Sequence, residues 1–296
     1  MEKNQKKAYF YAFVAVFFWS TVASAFKLTL RYFDSVQLLL YSSLFSLIFL
    51  ALVILYQGKF RLLFSYDKKS YYVLALLGII NPFAYYLVIF RAYELLPAQE
   101  AQPLNYTWAL TLTYLSVYIL KYRLNIYDFF AGIICYFGVF IISTHGDLFS
   151  STFSNSLGVF LALFSTLLWA VYWIYNTKNK VDPVIGLFIN FAVGVPLIFI
   201  WALFFTKPFN INFFGILGSM YVGIFEMGLT FLFWLSAMKL SVKTSNIANL
   251  IFISPFLSLW FISLILGEKI LVSTFVGLLF IVIGLLLQQK GKQKSE

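Results

Sequence analysis

Residues 213–237 read FFGILGSMYVGIFEMGLTFLFWLSA, a run of 25 positions in which Glu226 is the one ionisable side chain apart from a tyrosine. Wound as a helix it would rise roughly 37 Å, more than the ~30 Å hydrocarbon core of a bilayer. A β-barrel strand is less than half as long and alternates strictly between apolar and polar, which this run does not. Lipid is therefore the solvent that suits it. Working outward, nine more such runs emerge, at residues 8–26, 35–56, 71–92, 101–120, 127–143, 157–175, 184–205, 245–266 and 272–287. The first is too long, and too like the others, for a cleaved signal peptide. Composition agrees: 62% of the 296 residues are hydrophobic and 11% charged, against about 45–50% and 25% in soluble domains. Disordered, collagenous, disulfide-stapled and ordinary cytosolic proteins are excluded on that balance, and the single cysteine, Cys135, cannot form an internal disulfide.

A net charge of +10 raises nucleic acid as a partner until the basic residues are placed. Alternate gaps hold Lys3, Lys6, Lys7; Lys59, Arg61, Lys68, Lys69; Lys121, Arg123; Lys178, Lys180; Lys239, Lys243; and Lys290, Lys292, Lys294. The other gaps hold only Lys27, Arg31, Arg91, Lys207 and Lys269. Ten alternating helices put 16 of the 21 on one face, which the positive-inside rule makes cytoplasmic together with both termini. The expected location is the cell's inner membrane, multi-pass. The charge is thus topology, with anionic lipid head groups as partners and no nucleic acid.

The chain also repeats. Phe10, Ala12 and Trp19 align with Phe160, Ala162 and Trp169 at an offset of 150, and Gly78, Ala92 and Gly132 with Gly223, Ala237 and Gly277 at 145. The halves are residues 1–150 and 151–296. Five helices is an odd number, so the second half enters the membrane from the opposite side. The expected fold is an all-α membrane protein of ten transmembrane helices in two inverted five-helix repeats, the usual build of secondary transporters.

Trp19-Ser20-Thr21, Glu100 followed by Asn105-Tyr106-Thr107-Trp108, Trp169-Ala170-Val171-Tyr172 and the Leu266-Gly267-Glu268-Lys269 corner add a likeness to this. On these residues the chain resembles the drug/metabolite transporter superfamily with two EamA-type halves over nearly its whole length, and within it the bacterial aromatic amino acid exporters. It departs from the exporters at Ala109, where they carry proline, and at Glu226, which they do not require. The resemblance implies a carrier that exports a small molecule. By their chemistry Trp19, Trp108, Trp169, Tyr172 and Trp173 could form an aromatic box for an organic cation or an aromatic side chain, or serve as interface belt and filler, and Trp19 and Trp169 stand out because they occupy matching places in both halves.

The residues themselves point to polar groups in apolar helices. Glu226 stands halfway along its run, where an ionisable group costs about 2.5–3.5 kcal/mol on insertion scales, and Gly223, Thr230 and Trp234 share its face. It could carry a proton, pair with a substrate ammonium, or simply hydrogen-bond a neighbouring helix. Its counterpart by the 145 offset is Asn81, before the helix-disrupting Pro82. Pro103, Pro196 and Pro255 read either as hinges or as tolerated kinks, with Pro255 in the ninth helix. Gln102, Asn105, Tyr106, Ala109, Thr113 and Ser116 form a stripe in the fourth helix, and Asn246 and Asn249 follow in the ninth. Such groups need partners inside the bundle, whether substrate or helix. His145 and Asp147 read as loop polarity. No metal ligand cluster, cofactor motif, nucleotide loop or catalytic set can be assembled, so an enzyme, such as one acting on lipid head groups, is disfavoured.

The reading is a carrier for a small-molecule substrate, an amino acid or related compound, working by alternating access. Trp19, Asn81, Asn105, Tyr106, Trp108, Trp169, Tyr172, Glu226, Thr230 and Asn249 are the substrate-binding candidates. The alternative is proton-coupled efflux of organic cations through Glu226.

Overall fold

The structure, a computed structural model, describes residues 3–121, 123–147, 154–242, 247 and 249–295, with side chains described up to 291. All regular elements among them are helical. Eight helices are long and apolar enough to cross a membrane: Gln5–Thr29, Ser35–Tyr56, Lys68–Leu95, Ile126–Ser143, Ser156–Lys178, Pro183–Phe205, Phe213–Leu240 and Val272–Gly291. We number the α-helical segments α1 Gln5–Thr29, α2 Ser35–Tyr56, α3 Lys68–Gly78, α4 Tyr85–Leu95, α5 Ala98–Tyr106, α6 Trp108–Leu120, α7 Ile126–Ser143, α8 Ser156–Lys178, α9 Pro183–Phe205, α10 Phe213–Tyr221, α11 Thr230–Leu240, α12 Ser254–Phe261 and α13 Val272–Ser295.

The two remaining apolar runs are not continuous α-helices. The fourth divides at Thr107, whose amide bonds to Leu104 O while its own carbonyl receives the amides of Leu110 and Thr111. The ninth is assembled from a 3-10 turn Leu250–Ile253, then α12, then a wide turn Ile262–Leu266, with Pro255 at the start of α12, where a missing N–H costs little. Asn246 and Lys243 lie outside the described residues.

Polar caps start the helices and recur in both halves. Asn4 caps α1 and Asn155 caps α8, each accepting an amide three residues on; Asp34 caps α2 and Asp182 caps α9; Asp67 precedes α3 and Asn212 caps α10. The fourth run of each half ends on a left-handed residue, Lys121 and Gly267.

By packing, the chain forms two compact units, one of Met1–Phe83 with Val181–Gly267 and the other of Ala84–Lys180 with Glu268–Glu296. Each draws on both halves of the sequence. In the first unit α2 and α9 run antiparallel: the Asp34 carboxylate at the start of α2 accepts the hydroxyl of Thr206 at the end of α9, and Asp182 at the start of α9 meets Lys59 beyond the end of α2 at 2.7 Å. In the second unit α7 and α13 also run antiparallel. A Cβ on Gly291 would lie 2.6 Å from Cβ of Tyr127 at the start of α7, and one on Gly146, beyond its end, 3.3 Å from Ser273. These are the second and fifth helices of each half, so matching helices of the two halves point opposite ways.

Candidate functional site

The third helix of each half departs from α-helical winding at matching places. Pro82 has no amide hydrogen to offer the preceding turn. Asn81 before it is extended (φ −139°, ψ 116°), the bond between them is cis, and Ile79–Ala84 forms a wide turn between α3 and α4. Asn81 is 2% exposed, and its Oδ1 has no hydrogen-bond partner among the described residues. Glycines let the break lie against α9: a Cβ on Gly194 would come 2.7 Å from the Pro82 ring, and one on Gly78 2.6 Å from the Asn190 carbonyl oxygen.

In the second half the wide turn is Val222–Leu229, between α10 and α11, and Glu226 lies within it. Gly223 rests on the Ser42 carbonyl of α2, as Gly78 rests on α9. Thr230 is fully buried, and its hydroxyl donates to the carbonyl of Phe225, five residues back. Aromatic rings from α1 cover this stretch. Phe18 stacks on Phe225 at 4.5 Å, Tyr221 lies 4.8 Å from Phe225, and the Thr21 and Tyr221 hydroxyls are 2.6 Å apart. Trp19 packs edge-on to Phe231 at 5.8 Å and 5.4 Å from Trp234. Trp19, Asn81, Glu226 and Thr230 thus all belong to the first unit. So does Asn249, which is exposed just ahead of the 3-10 turn.

The second unit gathers the other five candidates. Trp169 on α8 is 8% exposed and lies 4.5 Å from Tyr85 of α4, 5.7 Å from Tyr172 and 6.0 Å from Trp173. This is the repeat counterpart of Trp19 against α11, since α4 and α11 follow the two wide turns. Asn105, in the last turn of α5, donates from Nδ2 to Ser165 Oγ at 3.0 Å and accepts from the Tyr85 hydroxyl at 3.5 Å. Tyr106 and Trp108 flank the Thr107 interruption and are half-buried, whereas Tyr172 is buried.

Sequence reasoning missed Tyr85, Ser165 and Tyr221, and named Thr21 only within the Trp19-Ser20-Thr21 motif. Thr21 and Ser165 were within its reach, two residues after Trp19 and one helical turn before Trp169. The tyrosines were hidden among 18 others. His145, expected as plain loop polarity, instead meets the buried carboxylate of Glu100 at 2.8 Å. The described residues include no group of three or more His, Cys, Asp or Glu side chains able to hold a metal.

Apolar spans in two oppositely directed sets, with polar side chains buried where matching helices lose their regular winding, define a multi-pass membrane transporter. The chain belongs to the EamA-like transporter family, whose model matches it twice, over residues 6–144 and 156–288, and it is therefore a membrane transporter of the drug/metabolite superfamily. Over 187 residues it is 25% identical to an uncharacterized transporter of Clostridium kluyveri, a match covering 61% of this chain and 60% of that protein. A crystal structure of 18% sequence identity superposes with a TM-score of 0.70, covering 99% of this chain and 100% of the other, and shares the fold.

Proposed function

We propose that this transporter exports a small metabolite, an amino acid or a related amphipathic compound, by alternating access. The observation that carries the reading is the matched irregularity of the third helices, with Asn81 on one wide turn and Glu226 on the other. Wide turns and broken helices release backbone groups and recur at binding sites in membrane carriers. A buried amide oxygen without a partner costs roughly 1–3 kcal/mol, and the ammonium or N–H of a substrate would offset that. In the first unit Asn81 and Glu226 would contact the cationic end of the substrate, with Trp19 and Thr230 beside them. Taken by itself, the second unit offers Asn105 and Tyr106 as hydrogen-bonding groups, with Trp108, Trp169 and Tyr172 as apolar walls. Asn249 completes the proposed set. The substrate and the surrounding lipids, anionic head groups against the lysine-rich gaps above all, are the proposed partners.

A second reading, proton-coupled efflux of lipophilic organic cations, is favoured by the rings of Phe18, Tyr221 and Phe225 on the turn that carries Glu226. Purified protein in liposomes, given labelled amino acids in one arm and a cationic dye in the other, separates the two. The first reading expects amino acid flux that falls about 10- to 150-fold in Asn81→Ala, the loss of one hydrogen bond to a charged group. Dye efflux abolished by Glu226→Gln, with no amino acid flux, would favour the second. Flux of neither would leave this reading without support.

A further inference from the structure

The one histidine of the chain is held in an unusual backbone. Past the end of α7, His145 and Gly146 are both left-handed, at φ 55° and 85°. That conformation costs a residue with a side chain roughly 1–2 kcal/mol. Hydrogen bonds fix the turn, from His145 N–H to Ile142 O at 3.1 Å and from Gly146 N–H to Ile141 O at 2.9 Å. The result is that the imidazole Nε2 sits 2.8 Å from Oε1 of Glu100, in the first turn of α5. The other carboxylate oxygen accepts the Ser154 hydroxyl at 2.6 Å, and the Ser154 amide donates to Ser143 O at 3.0 Å. Glu100 is 1% exposed, while the His145 side chain is 47% exposed, so a solvent-accessible base stands against a buried acid.

A buried carboxylate is costly without a cation or several donors. Among the described residues His145 is the one basic group in direct contact with Glu100, and only when protonated does it supply charge. The same helix start is tied by a second carboxylate. Glu268 accepts the amides of Ala98 and Gln99 at 3.1 and 3.3 Å, and the Gln99 side chain bonds to Lys269 O and the Leu271 amide at 3.0 and 2.9 Å.

We propose that Glu100 and His145 form a proton-binding site whose occupancy sets how firmly the first turn of α5 is held. Protonated, the imidazolium and carboxylate make a hydrogen-bonded ion pair; deprotonated, the ring can still donate to the carboxylate, but the attraction between opposite charges is gone. α5 itself carries Gln102, Asn105 and Tyr106 beyond that first turn, so proton release would loosen the segment that presents the neutral hydrogen-bonding groups. Among residues with described side chains, the other ionisable acids and bases on the elements that meet here are Asp128 on α7, Asp147 beyond His145, Lys178 on α8, Glu268 and Lys269 ahead of α13, Lys290 on α13, and the Arg91–Glu94 pair on α4. None is an imidazole, the side chain whose ordinary charge change falls between pH 5 and 8.

The consequence for flux rests on the transporter reading; the site itself does not. Hydrogen exchange on the full-length protein in nanodiscs at pH 5.5 and 8.0, corrected for the intrinsic pH dependence of exchange, tests the site. Residues 98–107 are expected to exchange at least about tenfold more slowly at pH 5.5 in the wild type, and His145→Gln is expected to erase that difference. Wild-type exchange equal at both pH values, or a difference that survives in His145→Gln, would overturn the proposal. Glu100→Gln should erase the difference too, and if that variant fails to fold His145→Gln decides alone. In liposomes a pH dependence of flux that His145→Gln removes is expected. Absence of any flux would count against the transporter reading and leave the exchange result to decide the proton site.

Discussion

Asp182 does two jobs at the start of α9. Its Oδ1 accepts the amides of Val184 and Ile185, and its Oδ2 meets Lys59 Nζ at 2.7 Å. Burial of the carboxyl pushes its pKa up, but the Lys59 hydrogen bond and charge, with the two amides, outweigh that and hold it below the usual carboxylate range. The unfolded chain therefore binds the proton more readily than the folded one, and stability rises with pH through that range. The contribution is complete above the unfolded value of about 3.9 and is lost as pH falls through the lower folded value. Melting temperature measured from pH 3 to 6 should accordingly depend less on pH in Asp182→Asn than in the wild type. Asp67, which accepts the Ser70 hydroxyl at 2.5 Å and is held low chiefly by that bond, keeps some dependence in both proteins. At this scale the sequence showed Glu226, Asn81 and Pro82 plainly, because an acid or a proline inside an apolar run violates a local rule. It could not show the His145–Glu100 contact, in which residues 45 positions apart meet only through a left-handed turn.

Between helices, closeness depends on glycine. α7 and α13 share the most extensive helix–helix contact, and they approach until a Cβ on Gly138 would lie 2.5 Å from the Gly277 carbonyl oxygen and one on Gly277 2.6 Å from that of Gly138. Small residues at such crossings let backbones and dispersion contacts close up where lipid removes the hydrophobic drive for association. Gly138→Val should lower unfolding stability by about 1–3 kcal/mol, the usual cost of overpacking, read as a drop in detergent melting temperature, whereas Gly58→Ala meets no neighbour and is opposed only by its left-handed backbone. Helix positions were legible from apolar run length to within a few residues, for instance 35–56 against Ser35–Tyr56. The winding inside them was not. Composition distinguishes a wide turn from an α-helix only where a proline intervenes, and Val222–Leu229 contains none.

For the whole molecule, the distribution of Lys and Arg predicts which gaps share a face of the membrane. Single cysteines introduced at Lys3 and Lys290 should react with an impermeant maleimide from the same side, and cysteines at Glu94 and Lys269 only from the other. The native Cys135 is buried and gives little background. Labelling of Lys3 and Lys290 from opposite faces would exclude an even number of spans. What the sequence determined by itself is the solvent, the spans and the duplication, because hydropathy, charge placement and residues repeated at a fixed offset are properties of local stretches. The tertiary structure alone decided the grouping. The ten candidates divide five and five between two units that each take helices from both halves, because antiparallel helices such as α2 with α9 and α7 with α13 are chosen by shape and by complementary ends, which lie far apart along the chain.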